Sequence, residues 1–211
     1  MGGALSARNK AFLVAGLATQ RLLELRVSKR NRAQSSGAAE QASAETYPLM
    51  VAVHAALFAA CAWPRRGRRV SRPVQVAALS GLAAAVALRL WVIRTLGDAW
   101  NVTAHVDPDT RVVTAGPYRY IRHPNYVAVA LEFACLPIAV GAFPEALLLS
   151  AANAAVLAPR IRAEERLLSA LPGYPEAFRG VPRFIPSPRR RSVQTPASAS
   201  QSRAESSRIA R

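Results

Sequence analysis

Eleven consecutive residues, Gly116-Pro-Tyr-Arg-Tyr-Ile-Arg-His-Pro-Asn-Tyr126, gather two arginines, a histidine and three tyrosines directly in front of an apolar run. Pro124 disfavours helix at His123 and suits the first turn of a helix that follows. The imidazole is therefore expected at a helix N-terminus, where backbone N–H groups favour a carboxylate or phosphate, with Arg119 or Arg122 nearby. Tyr and Arg also concentrate at membrane edges, so an interfacial anchor is the plainer alternative. Further along, Arg160 and Glu164 are four residues apart and share one helix face, while Glu165 points elsewhere. An isolated pair of this kind is an ordinary exposed ion pair. Here it emerges at the end of an apolar segment, on the side expected for the Tyr118–His123 loop. Two polar residues lie inside apolar segments, Glu132 and Asn153. An intramembrane carboxylate is costly and faces a cavity or a partner. Both are candidate substrate contacts, and a structural hydrogen bond between them is an equal alternative. His54 is expected to be a packed core histidine.

These residues sit in a chain of 211 residues, 51% hydrophobic and 19% charged, with a formal net charge of +16. Only Lys10 and Lys29 are lysines, so arginine carries the charge. The arginines fall between and after apolar runs, at Arg65, Arg66, Arg68, Arg69, Arg72 and again at Arg189–Arg191. That layout fits the loops and tail of a membrane protein and disfavours a nucleic-acid-binding face. Cys61 and Cys135 lie within apolar runs and read as core residues of a reducing compartment. The histidines, His54, His105 and His123, are too scattered for a metal motif. A cleavable signal peptide is not expected, because a charged Arg21-Glu24-Arg26 face follows the first apolar run in place of a small-residue cleavage site.

Five apolar segments must position the site: about 11–25, 47–63, 74–95, 126–140 and 142–157. The expected fold is an all-α integral membrane protein of about five transmembrane or membrane-embedded helices. The first segment is short for a span of about 20 residues. It tilts, pairs its charges inside the bundle, or lies in the interface. Segments four and five, separated only by Gly-Ala-Phe-Pro, should form a tight antiparallel hairpin. Val112 and Val113 are briefly extended, in a stretch too short to imply a sheet. After Pro159 a charged helix continues out of the membrane, and the tail from residue 187 is too polar to fold. Three regions result: N-terminal membrane helices over 1–95, a catalytic region over 96–186 and a basic tail over 187–211. If all five segments cross, the linker 28–46, the loop 97–125 and the C-terminal region share one face, which their basic residues assign to the cytoplasm. The Arg65–Arg72 loop then faces outward against the same rule, unless segment one does not cross.

The Gly116–Tyr126 string, the helical hairpin, Arg160-Ile-Arg-Ala-Glu-Glu165, Tyr174 and Val-Pro-Arg-Phe-Ile-Pro186 together resemble the isoprenylcysteine carboxyl methyltransferase family over roughly residues 96–186. The N-terminal half, with Gln20-Arg-Leu-Leu-Glu-Leu, Gly37-Ala-Ala-Glu40 and Tyr47-Pro, is similar to a bacterial branch. Members of that branch sit beside type III polyketide synthases and methylate alkylpyrones or phenolic lipids. The resemblance implies S-adenosylmethionine as cofactor, in a pocket facing the cytosol and enclosed by the C-terminal region, with a lipophilic acceptor entering from the bilayer. Carried over position by position, the cofactor contacts Thr110, Arg111, Val112, Val113, Tyr118, His123, Pro124, Asn125, Tyr126 and Glu164. Arg160 matches the arginine that orients the acceptor, which makes Arg160 and Glu164 the catalytic pair. Two positions depart from the pattern: Asn125 stands at a variable place, and Arg162-Ala163 replace more acidic residues of eukaryotic members. Methyl transfer from a sulfonium needs no base if the acceptor is already anionic. Positioning and desolvation then supply much of the rate. A neutral phenol would require Glu164 or His123 as base. Two other classes stay open: an NADPH-dependent membrane lipid reductase with a similar Arg-His-x-x-Tyr ending, against which the Arg160/Glu164 helix argues, and a non-catalytic membrane scaffold.

Overall fold

The computed structural model describes residues 5–33, 40–42, 44–63, 69–102, 104–106 and 112–187. The expected disordered tail, Thr110, Arg111, and Arg65, Arg66 and Arg68 lie outside them. Five long helices follow one another: α1 (Ala7–Ala33), α2 (Tyr47–Ala62), α3 (Arg72–Leu96), α4 (Pro124–Val140) and α5 (Phe143–Ser169). A four-residue α6 (Tyr174–Ala177) comes after them. Two three-residue strands, β1 (Glu40–Ala42) and β2 (Ala104–Val106), pair antiparallel with Gln41 opposite His105. This small ribbon was not expected, since strands this short carry no periodic signal in the sequence. It joins the linker after α1 to the loop after α3, so the two lie at the same end of the bundle, as the alternation of segments requires.

Proline starts four of the five long helices within their first two positions, where its missing N–H is not needed: Pro48, Pro73, Pro124 and Pro144. The hairpin between α4 and α5 is as tight as expected, closed by backbone bonds from Gly141 N–H to Ile138 O and Ala142 N–H to Pro137 O. The charged segment after Pro159 is not a separate helix: α5 runs unbroken through it. The helix tolerates the lost bond because its neighbours hold both halves. The α3–α4 contact is the most extensive between helices. Gly81 permits it, since a Cβ there would meet Cys135 Sγ at 2.6 Å.

Helix α1 is longer than its apolar stretch. It runs the height of the bundle, with Lys10 Nζ donating to Val140 O at one end and Asn31 Nδ2 donating to Trp100 O (2.7 Å) at the other. Of the expected alternatives for its charges, pairing inside the bundle is the outcome. Glu24 is buried and receives Arg89 Nε at 2.7 Å and Arg21 Nη1 at 2.8 Å. The core is built from Val14, Leu17, Leu57, Leu82, Val129, Phe133, Leu136 and Leu157.

Two helices are long and apolar enough to cross a membrane. These are the α3 segment Arg72–Ala99, mean hydropathy 2.0, and α5, mean hydropathy 1.2. Only 28% and 22% of their apolar windows are buried inside the protein, so most of each apolar window faces outward. Val76 on α3 and Leu147 and Leu148 on α5 are more than half exposed, and Phe12, Leu49 and Trp63 continue that outward apolar surface onto α1 and α2. The remaining apolar helices, α2 and α4, are shorter, at 16 and 17 residues.

Candidate functional site

Tyr126, on the first turns of α4, is the hub of the site. Its hydroxyl donates to Glu164 Oε2 and accepts from Arg160 Nε at 3.2 Å. One phenol thus ties together the arginine and the carboxylate that α5 presents on one face. Arg160 is almost wholly buried. Its Nη2 donates to Val102 O, and its Nη1 has no partner among the described residues.

Three cavities meet at Tyr126. The first is lined by Val112, Val113, Tyr118, His123, Pro124, Asn125, Tyr126, Arg160 and Glu164. These are the described members of the set expected from the sequence to hold the cofactor, together with Arg160. Its remaining wall was not expected as such: Trp100 and Arg122 on one side, Leu168, Leu171, Tyr174 and Phe178 on the other. Tyr174, Phe178 and Val181 form a second small apolar cluster that packs on Val112, Tyr118 and Leu168, so the chain after α5 encloses this cavity. Burial, followed by the charge of Glu164 and then Tyr174, pushes the Tyr118 phenol well above its ordinary range. Burial likewise pushes Tyr174 up to about 12 against the opposing effect of Arg122. Both stay protonated in neutral solution and serve as walls and donors, not bases.

The second cavity is a groove between α4 and α5, lined by Ala130, Leu131, Ser150, Asn153, Ala154 and Phe184 among others. The third is a chamber between α1, α2, α3 and α4, lined by Arg21, Leu22, Glu24, Val51, His54, Phe58 and Arg89, which reaches Asn125, Tyr126 and Arg160. Asn125, Tyr126, Arg160, Trp100 and Val102 border both this chamber and the first cavity.

His123 is the N-cap residue of α4, as expected. Its imidazole faces Glu165, with Nε2 3.0 Å from Oε1. Because a carboxylate only accepts, Nε2 carries the proton. Glu165 also receives Arg183 Nε at 2.8 Å and Arg183 Nη2 at 2.5 Å, and Arg122 stands 3.9 Å away. Two backbone bonds complete this clasp, from Arg122 N–H to Pro182 O and from His123 N–H to Arg183 O. Glu165 does point away from Glu164, and what it points at closes the site. Sequence reasoning missed this residue and Arg183. The signal available was the Glu-Glu pair followed by a basic residue in Val-Pro-Arg.

Glu132 is not set against Asn153. It accepts from Arg21 Nη2 across to α1 and is not among the residues lining these three cavities, whereas Asn153 faces the α4–α5 groove. The hairpin pairing entertained for them gives way because α1 supplies a cation to the inner face of α4. His54 packs edge-on to Phe133, with ring centroids 4.9 Å apart, and its Nδ1 lies 2.7 Å from Met50 O. It is a packed histidine, and it borders the chamber as well. Gly116 starts the site loop at φ +56°, and a Cβ there would collide with Thr95 Oγ1 and crowd Trp91 Nε1. Only glycine suits both demands.

A helical bundle with outward apolar faces, and a cavity of mixed lining shared by the start of α4 and the end of α5, defines a membrane-associated protein with a ligand site at one end of its helices. The model of the isoprenylcysteine carboxyl methyltransferase family matches residues 77–170. The chain is 31% identical over 171 residues to the uncharacterized protein YpbQ of Bacillus subtilis (strain 168), an alignment covering 74% of this chain and 95% of the relative. The chain belongs to the isoprenylcysteine carboxyl methyltransferase family, and thus to the membrane-associated methyltransferases. The match begins earlier than the resemblance read from the motifs, inside α3, and so takes in Arg89.

Proposed function

We propose that this protein transfers a methyl group from S-adenosylmethionine to an oxygen of a lipophilic, anionic acceptor at the cytoplasmic edge of a bacterial cell membrane. In this proposal all five long helices are embedded in the membrane. The observation that carries it is the shared wall. Arg160 and Tyr126 border a cavity of mixed polar and apolar lining on one side and a largely apolar chamber on the other. A soluble donor and a lipid acceptor entering from opposite sides therefore meet at the same two residues.

The first cavity fits the cofactor by its donor set. Asn125 Oδ1 is a buried acceptor, and Arg122 Nε and Trp100 Nε1 are buried donors, none with a partner among the described residues. Arg122 would hold the cofactor's carboxylate and Asn125 its ammonium. Val112, Val113, Leu168, Leu171 and Phe178 would pack on the purine, and Glu164 would supply the counter-charge to the sulfonium. When bound, S-adenosylmethionine supplies an electrophilic methyl group at a cationic sulfur. Arg160 orients the acceptor oxygen, Tyr126 keeps Arg160 and Glu164 in register, and the Tyr174–Phe178 wall excludes water. A long-chain alkylpyrone or phenolic lipid, the product class of a type III polyketide synthase, suits an apolar chamber, as does an isoprenylcysteine carboxylate.

The direct test incubates membranes containing the protein with methyl-labelled S-adenosylmethionine and locates the label. Label is expected in the lipid fraction, in a base-labile ester or an enol ether. No label in lipid or protein, across acceptors of all three kinds, would refute the proposal. Glu165→Gln is expected to weaken cofactor binding roughly tenfold, because it removes the charge on which His123 and Arg183 converge. Titration calorimetry checks this, and an unchanged dissociation constant would mean that the clasp does not govern the cavity.

A further inference from the structure

The chamber between α1 and α4 has a charge pattern that the cofactor cavity does not explain. Three guanidinium groups line it, those of Arg21, Arg89 and Arg160, against the single carboxylate of Glu24. Glu132 adds a second carboxylate, but it is placed on Arg21. Among the described residues, Arg160 bonds only to neutral oxygens on Tyr126 and Val102. Glu164, one hydroxyl away, lies on the cofactor side and is matched by the donor's net positive charge. Among the described residues one buried cation is left over, and an uncompensated charge in a desolvated site is costly. Two donors in this region are also unused: Arg89 Nη1 and Arg160 Nη1 are both buried without a partner among the described residues.

Resting on the methyltransferase reading above, we infer that this chamber holds the acceptor's head group and that Arg89 is a second acceptor-binding residue. It acts beside Arg160 on a head whose negative charge is shared between two oxygens. Arg89 suits the task because it is held rigidly. Glu24 takes its Nε with both carboxylate oxygens at 2.7 Å, and its Cζ lies 6.0 Å from the centroid of the Trp100 ring. Its Nη1 is thereby left for a ligand. Leu22, Leu25, Val51 and Phe58 give the rest of the chamber its apolar lining, for an aliphatic or prenyl tail. Both a carboxylate and the vinylogous enolate of a 4-hydroxypyrone share this chemistry, whereas a neutral phenol does not.

The test measures binding to the full-length protein in lipid nanodiscs loaded with a cationic, non-transferring analogue of the cofactor, using two anionic probes and their neutral methylated forms. One pair is a prenylated cysteine carboxylate and its methyl ester. The other is a long-chain 4-hydroxy-2-pyrone and its methyl ether. The wild type should bind at least one anion about tenfold more tightly than its methylated form, and the preferred pair identifies the source of the oxyanion. Arg89→Lys keeps a charge but loses the fork. It should abolish most of that discrimination while leaving S-adenosylmethionine affinity and the affinity for the neutral form near wild type. Arg89→Met, where it folds, should abolish the discrimination outright; where it does not fold, Arg89→Lys alone decides, with its thermal midpoint as the fold control. Wild-type discrimination retained in a folded Arg89→Lys protein would overturn the assignment of Arg89, as would absence of anion preference in the wild type. The labelling experiment keeps the two levels apart: lipid label together with an insensitive Arg89→Lys sinks this inference alone, and absence of label sinks the function it rests on.

Discussion

Replacing Arg160 with alanine is expected to lower kcat/KM for methyl transfer by about a hundred- to a thousandfold, the usual loss when one preorganised donor to a reacting oxygen is removed. The magnitude follows from burial. Arg160 is 2% exposed, so its charge acts in a medium that screens it poorly. Its loss also leaves the Tyr126 hydroxyl without the donor that orients it toward Glu164. Arg160→Lys should fall between the two, because an ammonium keeps the charge but cannot reach Tyr126, Val102 and a ligand in the fixed geometry of a guanidinium. The measurement is a steady-state assay with both substrates varied, alongside cofactor titration. Cofactor affinity within about threefold of wild type, less than 1 kcal/mol, would assign the loss to the acceptor. A kcat/KM unchanged by Arg160→Ala would remove Arg160 from the reaction.

The largest stability effect is expected at Glu24. Glu24→Ala removes the carboxylate that Arg89 and Arg21 share, leaving two guanidinium groups in the bundle with Glu132 to answer only one. Breaking a buried pair by deleting one partner costs about 3–5 kcal/mol. Here the deletion also frees Gln20, whose amide donates to the same carboxylate at 3.0 Å. The expected result is a large loss of stability in detergent-based denaturation, with a smaller loss for Glu24→Gln. The double variant Glu24→Leu/Arg89→Leu should be more stable than the sum of its single changes, because it removes both members of the pair. Additive losses would mean that the two residues are not coupled as their geometry requires.

Much of this was legible along the chain. The apolar runs located α2, α3, α4 and α5 to within a few residues, apart from the far end of α5. The Gly116–Tyr126 cassette named most of one wall of the first cavity, because contiguous residues at a loop-to-helix junction stay together however the helices pack. Arg160 and Glu164 were legible for a similar reason, since a spacing of four on one helix is fixed by helical geometry alone. Residues whose meaning lies across elements were not legible. Glu165 takes its role from an arginine eighteen positions later. Arg89 takes its role from α1, and Glu132 found its partner 111 positions back in Arg21 and not in the adjoining hairpin.

By itself, then, the amino-acid order determined the helical class, the family, and the residues forming the entrance of α4 and the Arg160–Glu164 face of α5. These depend on local period, proline placement and contiguous motifs. Only the tertiary structure decided which charges neutralise one another inside the bundle, and that Tyr126 would stand between a cavity of mixed lining and an apolar chamber. The physical reason is that buried ion pairs are settled by which helix faces meet. A low-dielectric interior makes each such choice strongly favourable or strongly costly, and no pattern within one segment encodes its partner in another.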